Sequence, residues 1–334
     1  MADELEQRCR SLLTDLGLMS RGDSVSVAPL SGGVASDIAK VSVNDDVYCV
    51  KFALPKLRVK ADWFAPVERN LAEYRWLQTV AEIAPEAAIR LYGHSTRDHG
   101  FVMEYLSSPD SYLFKTALLD GRGRAPDAAA VGDLLGRVHA HSAAPGFDRA
   151  PFHNSDDFHA IRIEPYLIHT AGAHPDLKPA LQAMADRLHT ADNILIHGDV
   201  SPKNIILHDR RPYILDAECA TMGDAAFDVA FCLNHFILKS LHVRARRTDY
   251  LGFCSLFWKS YARAVIWEPV DGLESRVAQL VPMLMLGRVD GKSPVEYLSD
   301  NDRDLVRRLA TDLILLPRPT ISAILTFIRG ELDQ

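Results

Sequence analysis

The stretch ILIHGDVSPKNIILHDRRPYILDAE, residues 194–218, carries the strongest functional pattern in this 334-residue chain. An apolar run ends at Ile196 and is followed by His-Gly-Asp, and Asn204 comes five residues after Asp199. A second apolar run ends at Leu215 and is followed by Asp216, twelve residues after Asn204. Short apolar runs of this kind are typical of buried strands. The pattern therefore predicts two strands that frame a polar loop and present carboxylates at their ends.

These residue types suit phosphoryl transfer to an alcohol. The transition state of that reaction carries its charge on the phosphoryl oxygens, so the protein must position the reactants, hold a metal and accept the hydroxyl proton. The Asp199 carboxylate can orient and deprotonate the acceptor hydroxyl. The Asn204 amide oxygen and the Asp216 carboxylate are hard oxygen ligands of the kind that Mg²⁺ prefers. We therefore interpret Asp199 as a catalytic base and the other two residues as metal ligands.

The run H-G-D-x-x-x-x-N with Asp216 beyond it resembles the catalytic and metal loops of the aminoglycoside phosphotransferase/choline kinase family. The resemblance implies a protein-kinase-like α+β fold with two lobes, a β-rich N-lobe and a mostly helical C-lobe. It gives His197 a role in the structure of the loop. The segment GDAAFDVA, residues 223–230, also resembles the family, and there Asp228 is expected to hold the catalytic loop from behind. Gly198 replaces the Arg of H-R-D, which argues against a protein kinase.

Two further segments resemble methylthioribose kinases, a branch of the same superfamily. Asp216-Ala217-Glu218 matches their D-x-E, which implies that Glu218 also lies at the metal. The segment VKFALPKLRV, residues 50–59, is similar to a nucleotide-lobe motif of these kinases. The resemblance further suggests Arg288 as a contact to a sugar-like substrate, with Asp290 behind it.

Nucleotide-binding residues are predicted in the first third of the chain. Lys51 ends a β-rich run and can hold nucleotide phosphates if a Glu on the next helix supports it, for which Glu73 is the first candidate and Glu68 the alternative. Glycines let a backbone approach a phosphate. The loop before Lys51 is therefore a candidate phosphate cradle, with Ser31, Gly32, Gly33 and Ser36 as its candidate residues. By family resemblance, the Glu104 carbonyl and the Leu106 amide would bind adenine.

The hydrophobic patterning predicts the domain organisation. Helical spacing over residues 2–18, 66–82, 128–143 and 178–191 contrasts with short β-rich runs between residues 25 and 106. A β-rich first part followed by a helical remainder is an α+β pattern. We therefore assign residues 1–106 to a nucleotide-binding N-lobe and residues 107–334 to a C-lobe that carries the catalytic loop and binds substrate.

The composition excludes several classes of protein. The chain is 48% hydrophobic and 24% charged, an ordinary globular balance, and its net charge of −7 disfavours a nucleic-acid binder. Its five cysteines show no paired spacing, and no apolar run is long enough to span a membrane. The amino terminus lacks the features of a signal peptide. We therefore expect a cytoplasmic protein. The sequence does not indicate whether the protein is a monomer or an oligomer.

Taken together, these patterns predict an ATP- and Mg²⁺-dependent phosphotransferase that acts on a hydroxyl of a small molecule. A sugar-like alcohol is favoured as the substrate, because the carboxy-terminal part shows no acidic bias that would suit a polycation. An aminoglycoside or choline-type acceptor remains open, and so does a preference for GTP. A catalytically silent nucleotide-binding module is a further alternative, disfavoured because Lys51, Asp199, Asn204 and Asp216 are all present.

Overall fold

The structure is a computed structural model that describes residues 2–30, 36–56, 58 and 66–332. Its internal contacts divide the chain into two units, Met1–Pro109 and Asp110–Gln334. Within the described residues, no helix combines the length and the apolar character needed to cross a membrane.

The first unit is built on a five-stranded antiparallel sheet with two helices. Its elements are α1 (Ala2–Asp15), β1 (Val25–Pro29), β2 (Ser36–Val43), β3 (Asp46–Ala53), α2 (Arg69–Ile83), β4 (Leu91–Ser95) and β5 (Gly100–Glu104). The strand order is β1-β2-β3-β5-β4. Asn44, whose φ is 52°, lies in the tight turn between β2 and β3.

Helix α1 covers one face of this sheet. Its apolar side packs on alternate residues of β3, namely Tyr48, Val50 and Phe52. Because side chains alternate across a strand, Lys51 points to the opposite face of the sheet. Strand β3 is buried from Tyr48 to Ala53, so Lys51 is almost without solvent contact. A buried ammonium requires a partner, and α2 supplies one.

The second unit is mostly helical, with short strands around the catalytic loop. The strands are β6 (Tyr112–Leu113), β7 (Ile194–Ile196), β8 (Ile205–His208), β9 (Arg211–Ile214) and β10 (Thr221–Gly223). Strand β7 pairs with β10, and β8 lies between β6 and β9. The helices are α3 (Phe114–Leu119), α4 (Ala125–Ser142), α5 (Ser155–Phe158), a π-helical segment (His159–Ile168), α6 (His169–Ala173), α7 (Lys178–Thr190), α8 (Ala226–His242), α9 (Arg247–Ala262), α10 (Val270–Asp290), α11 (Asp300–Leu315) and α12 (Ile321–Leu332).

Helix α8 lies at the centre of the second unit. Its residues from Ala226 to Leu241 are all buried, and it packs against α9 and α10. A helix that is apolar all round is expected in the interior of a large domain. The polar side chains that α8 carries into this interior, Asp228, His235 and Lys239 among them, therefore need specific explanations.

Candidate active site

The loop after β7 is tightly bent at Gly198. This residue has φ 78°, and a Cβ atom there would lie 2.8 Å from the Cβ and 3.0 Å from the carbonyl oxygen of Cys219. Both the backbone conformation and the lack of space therefore require glycine. An Arg of the H-R-D type would not fit this loop, and the resulting bend leaves Asp199 buried directly beyond β7.

Asp228 at the start of α8 anchors the same loop. Its carboxylate accepts hydrogen bonds from the main-chain N–H of His197 at 2.6 Å and from that of Gly198 at 2.8 Å. His139 of α4 contacts Oδ2 of the same carboxylate at 3.3 Å. Asp228 has no solvent exposure, so these charge-assisted bonds are made in a low-dielectric interior. The loop is thereby tied to the central helix.

The imidazole of His197 is fixed between the two loops of the site. Its Nδ1 accepts the N–H of Asp199 at 3.1 Å, and its Nε2 lies 3.1 Å from the carbonyl oxygen of Leu215. A ring that accepts at Nδ1 and donates at Nε2 is neutral. Burial lowers the pKa of His197 against the raising effect of Asp228 and Asp199, which agrees with a neutral ring. His197 therefore links the catalytic loop to the segment that leads to Asp216.

The two oxygens of the Asp199 carboxylate differ in their surroundings. Oδ2 accepts a hydrogen bond from Arg162 Nη2 at 2.8 Å and lies 3.2 Å from Lys203 Nζ. Oδ1 is buried and has no hydrogen-bond partner among the described residues. Burial alone would raise the pKa of Asp199, but Lys203 and Arg162 outweigh it and hold the pKa well below its usual range. The carboxylate is therefore ionised, with one oxygen held in place and the other without a hydrogen-bond partner in the described part of the chain.

Arg162 comes from the π-helical segment and also holds the backbone of the loop. Its Nε donates to the carbonyl oxygen of Gly198 at 2.6 Å while Nη2 reaches Asp199. The guanidinium therefore fixes the carboxylate relative to its own main chain. Pro165, which lies inside this segment, has no N–H to donate and so interrupts regular α-helical bonding. π-Helical turns of this kind often occur at functional sites.

The hairpin of β8 and β9 brings the predicted metal ligands to one end. Ile205 pairs with Ile214, and the N–H of Leu215 donates to the Asn204 carbonyl at 2.8 Å. The side-chain nitrogen of Asn204 donates to the main-chain oxygen of Asp199 at 3.1 Å, so its side-chain oxygen is the atom left for a ligand. Asp216, at φ 67°, and Glu218 have carboxylate oxygens within 4.8 Å of each other. This oxygen-rich donor set fits a hard divalent cation.

In the first unit, Lys51 forms a buried ion pair with α2. Its Nζ lies 2.6 Å from Oε2 of Glu73, and both side chains are almost fully buried. Glu68, the alternative partner, immediately precedes the first residue of α2. A buried Lys–Glu pair of this kind holds the ammonium in one position.

The other predicted nucleotide contacts are distributed along the first unit. Ser36 is buried at the start of β2, and Glu104 is the last residue of β5. Leu106 lies two residues beyond, before the boundary at Pro109. The predicted phosphate-cradle residues Ser31, Gly32 and Gly33 lie outside the described residues.

The two predicted substrate residues differ in their contacts. Arg288 Nη1 donates to Tyr166 Oη at 2.9 Å and to the Ser293 carbonyl at 2.6 Å, while its buried Nε has no partner among the described residues. The carboxylate of Asp290 contacts Arg307 at 2.7 Å and His174 at 2.8 Å. These contacts tie α10 to α11 and to His174, the residue that follows α6. They favour a structural role for Asp290 and leave Arg288 with unused hydrogen-bonding capacity.

Sequence reasoning missed four basic residues of this region: Arg162, Lys203, His235 and Lys239. Lys203 lies inside the catalytic-loop motif, four residues after Asp199, and could have been chosen from that spacing. His235 and Lys239 are basic residues in a mostly apolar helix, which is a usable signal. Arg162 lies 37 residues before Asp199 in sequence, and no local pattern indicates that contact.

Comparison with known proteins agrees with this geometry. The sequence profile of the phosphotransferase enzyme family matches residues 26–253. A methylthioribose kinase of Bacillus cereus is 23% identical over 303 residues, which cover 80% of this chain and 76% of that protein. One from Pectobacterium atrosepticum is 25% identical over 57% of this chain and 53% of its own length, so the chain spans about half of that relative.

A crystal structure of choline kinase from Cryptosporidium parvum superimposes with a TM-score of 0.56 at 11% identity, over 95% of this chain and 98% of the other. At this identity the likeness shows the fold alone, and it confirms the protein-kinase-like α+β fold predicted from the sequence. The predicted family is confirmed by the profile match, which covers more than half of the chain. The chain therefore belongs to the phosphotransferase enzyme family.

Proposed function

We propose that this enzyme uses ATP and Mg²⁺ to transfer the γ-phosphate to a hydroxyl group of a small molecule, with a sugar-like alcohol as the favoured acceptor. The observation that carries the proposal is the Asp199 carboxylate. Its Oδ2 is held by Arg162 and Lys203, and its buried Oδ1 has no hydrogen-bond partner among the residues described. A base whose one oxygen is fixed and whose other oxygen is unpaired is suited to receive an acceptor hydroxyl.

In this proposal, Asp199 Oδ1 accepts the hydrogen bond of the acceptor hydroxyl and takes its proton as the phosphoryl group is transferred. Arg162 and Lys203 keep the carboxylate ionised before the acceptor arrives. They also fix its direction, because Arg162 binds both the side chain and the adjoining carbonyl oxygen. Positioning of this kind contributes much of the catalysis in phosphoryl transfer.

Asn204, Asp216 and Glu218 would hold the magnesium ion. The orientation of the Asn204 amide, the proximity of Asp216 to Glu218 and the oxygen-only donor set all fit that metal. When bound, the ion would neutralise charge on the phosphate oxygens. The chain's own contribution is to keep these oxygens at one end of the β8–β9 hairpin.

Lys51 would bind nucleotide phosphates as a point charge supported by Glu73. Ser31, Gly32, Gly33 and Ser36 would approach the phosphates, and the main chain at Glu104 and Leu106 would bind adenine. These roles rest on the family pattern.

The acceptor class is supported by the methylthioribose kinases, whose names indicate a sugar-type substrate. The charges beside Asp199 also argue against a cationic acceptor. Arg162 and Lys203 both contact its carboxylate. These two positive charges would oppose the approach of an aminoglycoside or choline acceptor to Asp199. Arg288 remains the proposed substrate contact, and Asp290 would support the helix that carries it.

The experiment is a coupled assay of ADP release with Mg·ATP across a panel of neutral, anionic and cationic alcohols. Asp199→Asn is compared with the wild type, and Asp192→Asn, at an exposed position before β7, is the matched control. We expect turnover with at least one alcohol, a loss of about 10²–10⁴-fold in Asp199→Asn and none in the control. Equal turnover in Asp199→Asn and the wild type would overturn the proposal.

A further inference from the structure

Helix α8 carries a lysine into the interior of the second unit. Lys239 is 1% exposed, and among the described residues it forms no salt bridge. Its only hydrogen-bond partner there is Tyr297 Oη, 3.4 Å from Nζ, and the ammonium also lies 4.8 Å from the centre of the Tyr297 ring. An ammonium has three donors to satisfy, and burying one without a counter-charge is unfavourable. Lys239 therefore has unused binding capacity.

Two neighbouring side chains share this property. His235 lies one turn before Lys239 on α8, and its buried Nδ1 has no partner in the described part of the chain. The same holds for Nε of Arg288, whose guanidinium also lies 5.5 Å from the centre of the Tyr166 ring. We call His235, Lys239 and Arg288, together with Tyr166 and Tyr297, the basic cluster.

The charges around the basic cluster are not balanced. Burial, and after it the positive charges of Arg288 and Lys115, lower the pKa of Lys239 to about 7. Glu296 opposes this effect, but its carboxylate already contacts Lys115 at 2.5 Å. Burial, Lys239 and Arg288 likewise lower the pKa of His235. An anion placed among these groups would favour their protonated forms and accept hydrogen bonds from the nitrogens that lack partners.

The basic cluster is coupled to the catalytic base. Asp199 and Lys203 both act electrostatically on His235. The π-helical segment joins the two sites. Its Tyr166 accepts a hydrogen bond from Arg288 at 2.9 Å, and its Arg162, four residues earlier, donates to Asp199 at 2.8 Å.

We propose that the basic cluster binds an anionic group of the acceptor, so that the substrate is a hydroxyl compound that also carries a carboxylate or a phosphate. This inference rests on the proposed role of Asp199, because that residue defines where the reacting hydroxyl lies. A purely structural role for Lys239 explains the observations less well, because an apolar side chain of similar length would avoid the desolvation of a buried ammonium.

The test measures binding of matched ligand pairs to the enzyme saturated with Mg²⁺ and a non-hydrolysable ATP analogue, so that the nucleotide site cannot take the anion. The pairs are ribose with ribose 5-phosphate and glucose with glucuronate, and inorganic phosphate is the free anion. Isothermal titration compares the wild type with Lys239→Met and Arg288→Met. Lys259→Met, an exposed position on α9, removes the same charge at the surface and serves as the control.

We expect the anionic member of at least one pair to bind at least about tenfold more tightly than the neutral member, since hydrogen bonds to charged groups are worth about 1.5–3 kcal/mol. Lys239→Met and Arg288→Met should lose that preference, and Lys259→Met should keep it. If the enzyme binds inorganic phosphate but binds the anionic and neutral sugars equally well, the basic cluster is a site for free anions. That result would overturn the substrate inference. Equal binding within both pairs, or a preference that survives Lys239→Met, would overturn it as well.

Assays of these variants and of Asp199→Asn distinguish failure of this inference from failure of the proposed function. Turnover of neutral or cationic alcohols, without any preference for anions, would keep the phosphotransferase proposal and remove the anionic acceptor. A clear anion preference that depends on Lys239, with equal turnover in Asp199→Asn and the wild type, would keep the anion site and remove the proposed base.

Discussion

Replacement of Asp228 by Asn should loosen the catalytic loop while leaving the size of the side chain unchanged. The native carboxylate accepts two main-chain N–H groups, one from His197 at 2.6 Å and one from Gly198 at 2.8 Å. An Asn side chain offers one acceptor oxygen and one amide nitrogen. In Asp228→Asn, one of the two N–H donors would therefore face another donor inside a fully buried site.

The expected loss of stability in Asp228→Asn can be worked out from these two hydrogen bonds. The lost charge-assisted hydrogen bond is worth about 1.5–3 kcal/mol, and a buried donor left without an acceptor costs about 1–3 kcal/mol. Because the two effects concern the same N–H group and overlap, we expect a decrease of about 3–4 kcal/mol in the free energy of unfolding. Displacement of the loop should also reduce turnover by about 100-fold, since small errors of positioning have effects of that order.

The assay combines urea unfolding, followed by circular dichroism, with the ADP-release measurement. Asp192→Asn is again the matched control and should change the free energy of unfolding by less than about 0.5 kcal/mol. If Asp228→Asn unfolds at the wild-type urea concentration and turns over normally, the loop does not depend on Asp228 and the reasoning is wrong.

Three further predictions follow from the ion pair, the metal ligands and the buried lysine. Lys51→Met should weaken Mg·ATP binding by about tenfold or more in calorimetric titration, and an unchanged dissociation constant would contradict this. It should also lower the free energy of unfolding by about 3–5 kcal/mol, because the buried Glu73 carboxylate loses its ion pair with Lys51. Asp216→Asn should raise the Mg²⁺ concentration needed for half-maximal activity by about tenfold or more, and an unchanged metal dependence would exclude it as a ligand. The pKa of Lys239 falls from 10.5 to about 7 in the folded chain, so between these values the unfolded state binds more protons and stability decreases as the pH falls. Lys239→Met should therefore melt at a higher temperature than the wild type at about pH 6, with the difference shrinking towards about pH 10, and a pH-independent difference would contradict this.

The part of the site that is formed by consecutive residues could be predicted from the sequence, because the residues that form it are close together in the chain. Strand β7, the loop to Asn204 and the β8–β9 hairpin to Asp216 lie within 25 consecutive residues, and alternating apolar and polar runs define them. Element boundaries were less accurate. The helix predicted from residue 66 begins at Arg69, because Pro66 is separated from the first helical residue by a turn.

The contacts that support the catalytic base are long-range, and local patterns do not determine them. Arg162 reaches Asp199 across 37 residues, from the π-helical segment. The basic cluster requires α8 and α10 to pack with Lys239 and Arg288 near each other, which depends on tertiary structure. The apolar composition of α8 indicates burial but does not show which side of the helix faces the site.

The most direct test of the central claim is a comparison of binding with chemistry in Asp199→Asn. Phosphorus NMR would follow the formation of a phosphomonoester from Mg·ATP and the best acceptor of the panel, and titration of the same protein would measure the affinity for Mg·ATP. We predict nucleotide affinity within about twofold of the wild type and a loss of product formation of about 10²–10⁴-fold. Product formed at the wild-type rate by Asp199→Asn would show that this carboxylate is not the catalytic base.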